Sequence, residues 1–274
     1  MTRTALIAGQ GGLPVALAAA LRESATDFLV AELEGFASAI PDADPIRFRV
    51  ERLVPFLDAL ADRGVARVAF AGGLRRPALD PELIDARSAT LVPRLAAAFR
   101  SGDDALLREV IAIFEDWEFE VVGADALAPA LVPGPGFLTG TASDADRADA
   151  TRAAAIVGEI GRLDIGQGAV VAQGLCLAVE TLPGTDAMLD FVAAHAARLR
   201  PDPKGARGVL FKAPKPGQDR RIDLPVLGLR TVERAVSAGL GGIAWEAGGV
   251  IVLDRAAVVA AAAAAGLFLW AREP

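Results

Sequence analysis

With 274 residues, 53% hydrophobic and 23% charged, the chain has a globular composition and enough length for two domains of ordinary size. Its formal charge of -7 excludes a general nucleic-acid binder, which needs a basic surface, so any basic site must be local. One cysteine, Cys176, excludes an intramolecular disulfide and suits a reducing compartment, and one histidine, His195, argues against zinc chemistry.

In the first half, TALIAG reads as a strand ending in glycine, GQGGLP as a tight turn and VALAAALRES as a helix with Pro14 in its first turn. DFLVAEL and IRFRV follow as strands. ERLVPFLDALADRG is a helix ended by Gly64, and ARVAFAGG is a strand running into glycines. This alternation predicts a parallel, Rossmann-like sheet. After a helix-rich stretch from Pro81 to Arg100, SGDDALLREVIAIFEDWEFE is an amphipathic helix with Ser101 or Asp103 as its N-cap, and EVVGA returns to strand. Proline and glycine density in APALVPGPGFLTGT marks the boundary, giving a Rossmann-like domain over 1–128 and a mixed α/β domain over 129–274.

The second half opens with the helix DADRADATRAAAIVGEIGRL and the turn DIGQG. AVVAQG and LCLAVE form a hairpin around Gly174, and Cys176, inside the apolar run LCLAVE, is expected to be a buried structural thiol. A helix follows GTDAM and carries His195, partly exposed. GVLFK is a strand, TVERAVSAGLG a helix, GGIAWEAGGVIVLD two strands around a glycine turn, and RAAVVAAAAAAG a last helix before LFLWARE. No secretory h-region opens the chain, and VVAAAAAAGLFLW is too short to span a bilayer, so a soluble cytoplasmic protein is expected.

With histidine and cysteine set aside and tyrosine absent, acid–base and metal work falls to Asp, Glu and Lys, and oxygen ligands point to magnesium or manganese. Lys212 to Pro225, KAPKPGQDRRIDLP, packs two lysines, two arginines, two aspartates and three prolines between apolar runs. It reads either as a solvated turn or as a stiffened site for an anionic ligand. Gly9, Gly11 and Gly12 form a loop able to bring backbone N–H groups to a phosphate at a helix N-terminus, and Gly72 and Gly73 end a strand of the same sheet. Arg75 and Arg76 add positive charge there. The first loop also permits NAD binding, with Glu32 or Glu34 on the ribose, although Pro14 replaces the third glycine of the fingerprint; alternatively it is only a tight turn. SGDD, with Asp103 and Asp104, is read locally as helix capping. DIGQG with Gln167, Glu180 at a strand end, GTDAM with Thr185 and Asp186, and Trp245 with Glu246 are each a turn or wall residue, or a ligand contact.

Taken together, LIAGQGGLP, FAGGLRRP, GDDALLREV, EIGRLDIGQGAVVAQGLCLAVE, GTDAML, KAPKPGQDRRIDLPVLG and GIAWEAGGVIVLDR resemble the UDP-2,3-diacylglucosamine pyrophosphatases of Gram-negative lipid A synthesis, of the type unrelated to calcineurin-like metallophosphoesterases. They span nearly the whole chain in the family's order. The resemblance implies hydrolysis of UDP-2,3-diacylglucosamine to UMP and 2,3-diacylglucosamine 1-phosphate, with magnesium. It also implies a catalytic C-terminal domain peculiar to the family, and a ligand held between it and the N-terminal domain. The family's essential DLP aspartate falls on Asp223, which the resemblance makes catalytic residue and metal ligand, with Asp219 ranked second. Lys212 and Lys215 become clamps on phosphate oxygens. Gly11, Gly12, Gly72, Gly73, Asp103, Asp104, Gln167, Glu180, Thr185, Asp186 and Glu246 become substrate contacts. Gln10 stands where the family often has glycine. A homodimer and transient contact with the inner-membrane surface are further expectations. A nicotinamide-dependent oxidoreductase and a non-catalytic nucleotide-sugar binding protein are the competing readings.

Overall fold

A computed structural model describes residues 2–74 and 79–274, apart from the side chains of Ser101, Asp103, Ala196 and Ala197. The chain divides into two compact units, Met1–Pro129 and Ala130–Pro274.

The first unit runs β1 (Arg3–Ala8), α1 (Gly12–Glu23), β2 (Phe28–Leu33), β3 (Ile46–Phe48), α2 (Leu53–Asp62), β4 (Val65–Ala71), α3 (Val92–Ser101), α4 (Asp103–Asp116), β5 (Glu120–Val121) and α5 (Ala124–Leu127). The strands form a parallel sheet in the order β3-β2-β1-β4-β5. Central β1 is buried from Thr4 to Ala8 and apolar from Ala5 onward, the run expected of a strand covered on both faces. Leu17 and Leu21 of α1, Leu57 and Leu60 of α2 and Phe114 of α4 are core residues of this unit. One expectation is corrected at α4. Its N-cap is neither Ser101 nor Asp103 but Gly102, whose φ of 112° separates it from α3.

The second unit runs β6 (Gly136–Thr139), α6 (Asp144–Arg162), β7 (Gly168–Ala172), β8 (Leu175–Val179), α7 (Gly184–Leu199), β9 (Val209–Lys212), β10 (Val226–Leu227), α8 (Leu229–Ser237), β11 (Gly242–Glu246), β12 (Ile251–Val252), α9 (Arg255–Ala264) and β13 (Phe268–Arg272). Its mixed sheet has the order β6-β13-β11-β9-β7-β8, with β9, β11 and β13 parallel at the centre and antiparallel neighbours on both sides. Ala150, Ala153 and Val157 of α6 pack with Val171, Val209, Phe211 and Ala244. A second core joins Leu189 of α7, Val232 of α8 and Val258 of α9 to Leu210, Ile243 and fully buried Trp245. A reciprocal cap between Ser143 and Asp146 starts α6, which satisfies N–H groups that the first helical turn leaves open.

GGIAWEAGGVIVLD is two strands around a glycine turn, β11 and β12, and β12 runs parallel to β10 and ties down the end of the Lys212–Pro225 segment. One reading changes here: Cys176 is exposed, because β8 is an edge strand of the sheet.

The β7–β8 hairpin is held by a buried carboxylate. Asp149 of α6, 2% exposed, accepts Gln173 N–H at 2.9 Å and Gly174 N–H at 2.7 Å through its two oxygens. Asp149→Asn keeps the shape but sets an NH2 group against one of these donors. It should lower stability by about 1–3 kcal/mol, read as a reduced urea midpoint at constant m-value.

Candidate active site in the C-terminal domain

The centre of the site is a lysine at the end of the middle strand. Lys212 closes β9 opposite Trp245 of β11 and Gly168 of β7, and is 4% exposed. Its Nζ donates to Thr185 Oγ1 at 2.8 Å and to the Val226 carbonyl at 3.4 Å, and lies 3.8 Å from Glu180 Oε2. Thr185 passes the contact on, donating its hydroxyl hydrogen to Glu180 Oε2 at 2.6 Å. Burial pushes the Lys212 ammonium below the ordinary lysine pKa, against the attraction of Glu180, Asp186 and Asp223. An ammonium has three N–H donors. Among the described residues two acceptors are in hydrogen-bonding geometry, so the group retains capacity for an anionic oxygen.

DIGQG exists to let Glu180 in. A Cβ on Gly166 would stand 2.1 Å from the Glu180 carbonyl oxygen, and one on Gly168 would stand 2.7 Å from Glu180 Oε2. Gln167 between them accepts Ala213 N–H at 3.2 Å through its carbonyl, which registers the start of the charged loop. GTDAM, read as a turn before the helix, is instead the first turn of α7, and this places Thr185 and Asp186 at the helix start.

Beyond Lys212 the charged groups of the loop are paired, some with one another and some with neighbouring elements. Lys215 meets Asp164 at 2.5 Å, and Pro216 rests against Gly161 of α6, where a Cβ would come within 2.8 Å of the proline ring. Asp219 receives Arg221 as a fork, at 3.0 and 3.2 Å from Nε and 2.7 Å from Nη2. Arg220 bonds Glu246 at 2.6 Å, Arg230 bonds Asp186 at 2.7 Å, and Asp223 Oδ2 accepts Gln218 Nε2. The structure therefore brings Glu180, Thr185 and Lys212 into one hydrogen-bonded unit, with Asp186 and Asp223 in electrostatic reach. Asp219 is engaged by its neighbouring arginine, and Trp245 is core rather than binding wall. Sequence reasoning passed over Gln218, Asp164 and Arg230, which carry no signal beyond being polar residues in turns or on helices.

In the N-terminal domain the two glycine turns are joined main chain to main chain. Gln10 and Gly73 exchange N–H···O bonds of 3.0 and 2.9 Å. Gly72 has φ 90°, and a Cβ there would lie 2.5 Å from the Gln10 carbonyl oxygen, so no larger residue fits. Gly11 is the N-cap of α1, which Gly12 begins, and no side chain caps that end. Asp104 pairs with Arg108 at 2.5 Å on α4. The Asp103 side chain and residues Arg75 and Arg76 lie outside the described residues. Glu32 is buried and accepts Ser38 N–H at 2.8 Å, while Glu34 pairs with Arg49 at 2.9 Å, so both proposed ribose acids have protein partners.

The family resemblance implies magnesium, a cation that takes oxygen donors. Among the described residues no three His, Cys, Asp or Glu side chains gather around one point. Magnesium, however, is commonly held by one or two carboxylates completed by substrate phosphates and water. The carboxylates in electrostatic reach of Lys212, those of Glu180, Asp186 and Asp223, are oxygen donors of the type that mode uses.

Comparison with known proteins matches both halves. Residues 3–131 match the LpxI N-terminal domain and residues 134–270 the LpxI C-terminal domain. The UDP-2,3-diacylglucosamine pyrophosphatase LpxI of Caulobacter vibrioides is 44% identical over 277 aligned positions, covering 100% of this chain and 99% of that protein. Matched in both domains and along its whole length, the chain belongs to the LpxI family.

Proposed function

We propose that this protein hydrolyses the pyrophosphate bond of UDP-2,3-diacylglucosamine, releasing UMP and 2,3-diacylglucosamine 1-phosphate for lipid A biosynthesis. The observation that carries the reading is the full-length similarity to a protein named for that activity. The C-terminal geometry supports it chemically. Water attacking phosphorus needs a positioned nucleophile and neutralised phosphate oxygens. Lys212 offers a buried ammonium held in place by Thr185 and Glu180, and Lys215 offers a second charge on the same loop. Asp223 orients the attacking water and is the side chain that would hold magnesium. When bound, magnesium supplies further charge neutralisation at the phosphate oxygens. The oxidoreductase reading has no support at Glu32 or Glu34, which are engaged.

The same proposal includes a homodimer, a cytoplasmic location and transient contact with the inner-membrane surface. No helix among the described residues is long and apolar enough to cross a membrane. Leu163, Ile165 and Leu182 are exposed on the turns next to Gly166 and Glu180, which suits contact with an acylated substrate.

Incubation of the purified chain with UDP-2,3-diacylglucosamine and magnesium should release UMP, and chelation should stop the release. In oxygen-18 water the label should appear in the lipid phosphate. Substrate binding without UMP would favour a binding protein, and NADH binding without UMP would favour the oxidoreductase.

A further inference from the structure

Lys215-Pro216-Gly217-Gln218 forms a tight turn, with Gln218 N–H donating to the Lys215 carbonyl at 3.1 Å and Gly217 at φ 80°. Proline second and a left-handed glycine third are the marks of a type II turn. The Gln218 side chain then folds back over the turn. Its Oε1 accepts Lys215 N–H at 2.9 Å, and its Nε2 donates to Asp223 Oδ2. The orientation of the amide follows from the chemistry of its partners. A backbone N–H can only donate, so it requires the amide oxygen, and this leaves the NH2 group for the carboxylate. One neutral side chain thereby ties the lysine-bearing turn to the aspartate five residues on, and Pro216 braces that turn on α6 at Gly161.

We propose that Gln218 is a positioning residue for catalysis, fixing the direction in which the Asp223 carboxylate faces the reacting phosphate. The inference rests on the reading of Asp223 as the essential carboxylate. It goes beyond that reading by assigning a role to a residue that is uncharged and takes no part in proton transfer. Partners of this kind matter because a carboxylate held in one orientation keeps the alignment that makes it effective.

Gln218→Glu is the discriminating variant. Its carboxylate can still accept Lys215 N–H, so the turn stays closed, but the group facing Asp223 changes from a donor to an anion. In the UMP-release assay, kcat should fall about 10- to 100-fold with KM changed less than about threefold. Gln218→Ala should lose kcat to a similar extent. A thermal midpoint within about 2 °C of the parent for Gln218→Glu would show that the turn is intact. Wild-type kcat in Gln218→Glu, beside an inactive Asp223→Ala, overturns the inference and leaves the assignment of Asp223 standing. Full activity in Asp223→Ala overturns both. Loss confined to KM or to the thermal midpoint assigns Gln218 to structure alone and also overturns the inference.

Discussion

Asp223→Ala protein should fold, bind substrate and release UMP at least about a thousandfold more slowly than the parent, the scale on which loss of a group acting mainly in the transition state is felt. Asp223 is half-buried on a loop, not in a core, and immediately precedes buried Leu224 and strand β10. Its removal leaves Lys212 with Thr185, Val226 and Glu180 and leaves β10 paired to β12. Stability should therefore change little, and the loss should fall on kcat. Calorimetric titration with substrate separates the two outcomes, since retained affinity with lost turnover is the expected result. Asp223→Asn, isosteric but without the negative charge, should be nearly as inactive if the charge is what acts on water or metal. A variant with more than about a tenth of parental kcat would remove Asp223 from the chemistry.

Local pattern was enough for most of the elements, though not for β6 inside the boundary stretch, and insufficient for their long-range partners. The first-half alternation led to the parallel sheet because apolar runs alternate there with helices of clear period, and two of those runs, TALIAG and ARVAFAGG, end in glycine turns. GIAWEAGGVIVLD read as two strands around a glycine turn because its glycines sit between two apolar runs, which leaves the partner of each strand open. β12 finds β10, 25 residues away at Val226↔Ile251, and no local signal encodes such a pairing. Cys176 looked buried because its run is apolar, and its exposure follows from β8 being an edge strand, a property of the whole sheet. In the site, the family resemblance pointed to Lys212, Glu180 and Thr185 as separate substrate or catalytic contacts. The structure makes them one unit, because Gly166 and Gly168 allow Glu180 to approach β9's neighbour closely. Gln218 escaped notice because an uncharged amide among four cations and two carboxylates draws no attention until its two hydrogen bonds are seen.

Lys212→Met should lose both activity and stability, and a second substitution should restore only one of them. The ammonium is buried beside Glu180, itself 8% exposed, so methionine leaves a carboxylate without its cation. Breaking one side of a buried ion pair costs about 3–5 kcal/mol, whereas replacing both sides with neutral groups is often nearly neutral. Lys212→Met combined with Glu180→Gln should therefore recover most of the urea midpoint, since glutamine can still accept from Thr185. Turnover should stay at least about a hundredfold down, because no cation remains to meet the phosphate oxygens. The pH dependence carries the same distinction with opposite signs. Burial depresses the Lys212 pKa, so folding favours the neutral amine, and the penalty of burying the charge eases as pH rises through the depressed value. Activity needs the ammonium and should fall over that same interval, below the ordinary lysine range. Parental protein should thus show an alkaline limb in kcat that the double variant's residual activity lacks. Recovery of turnover together with stability in the double variant would reduce Lys212 to a structural ion-pair partner.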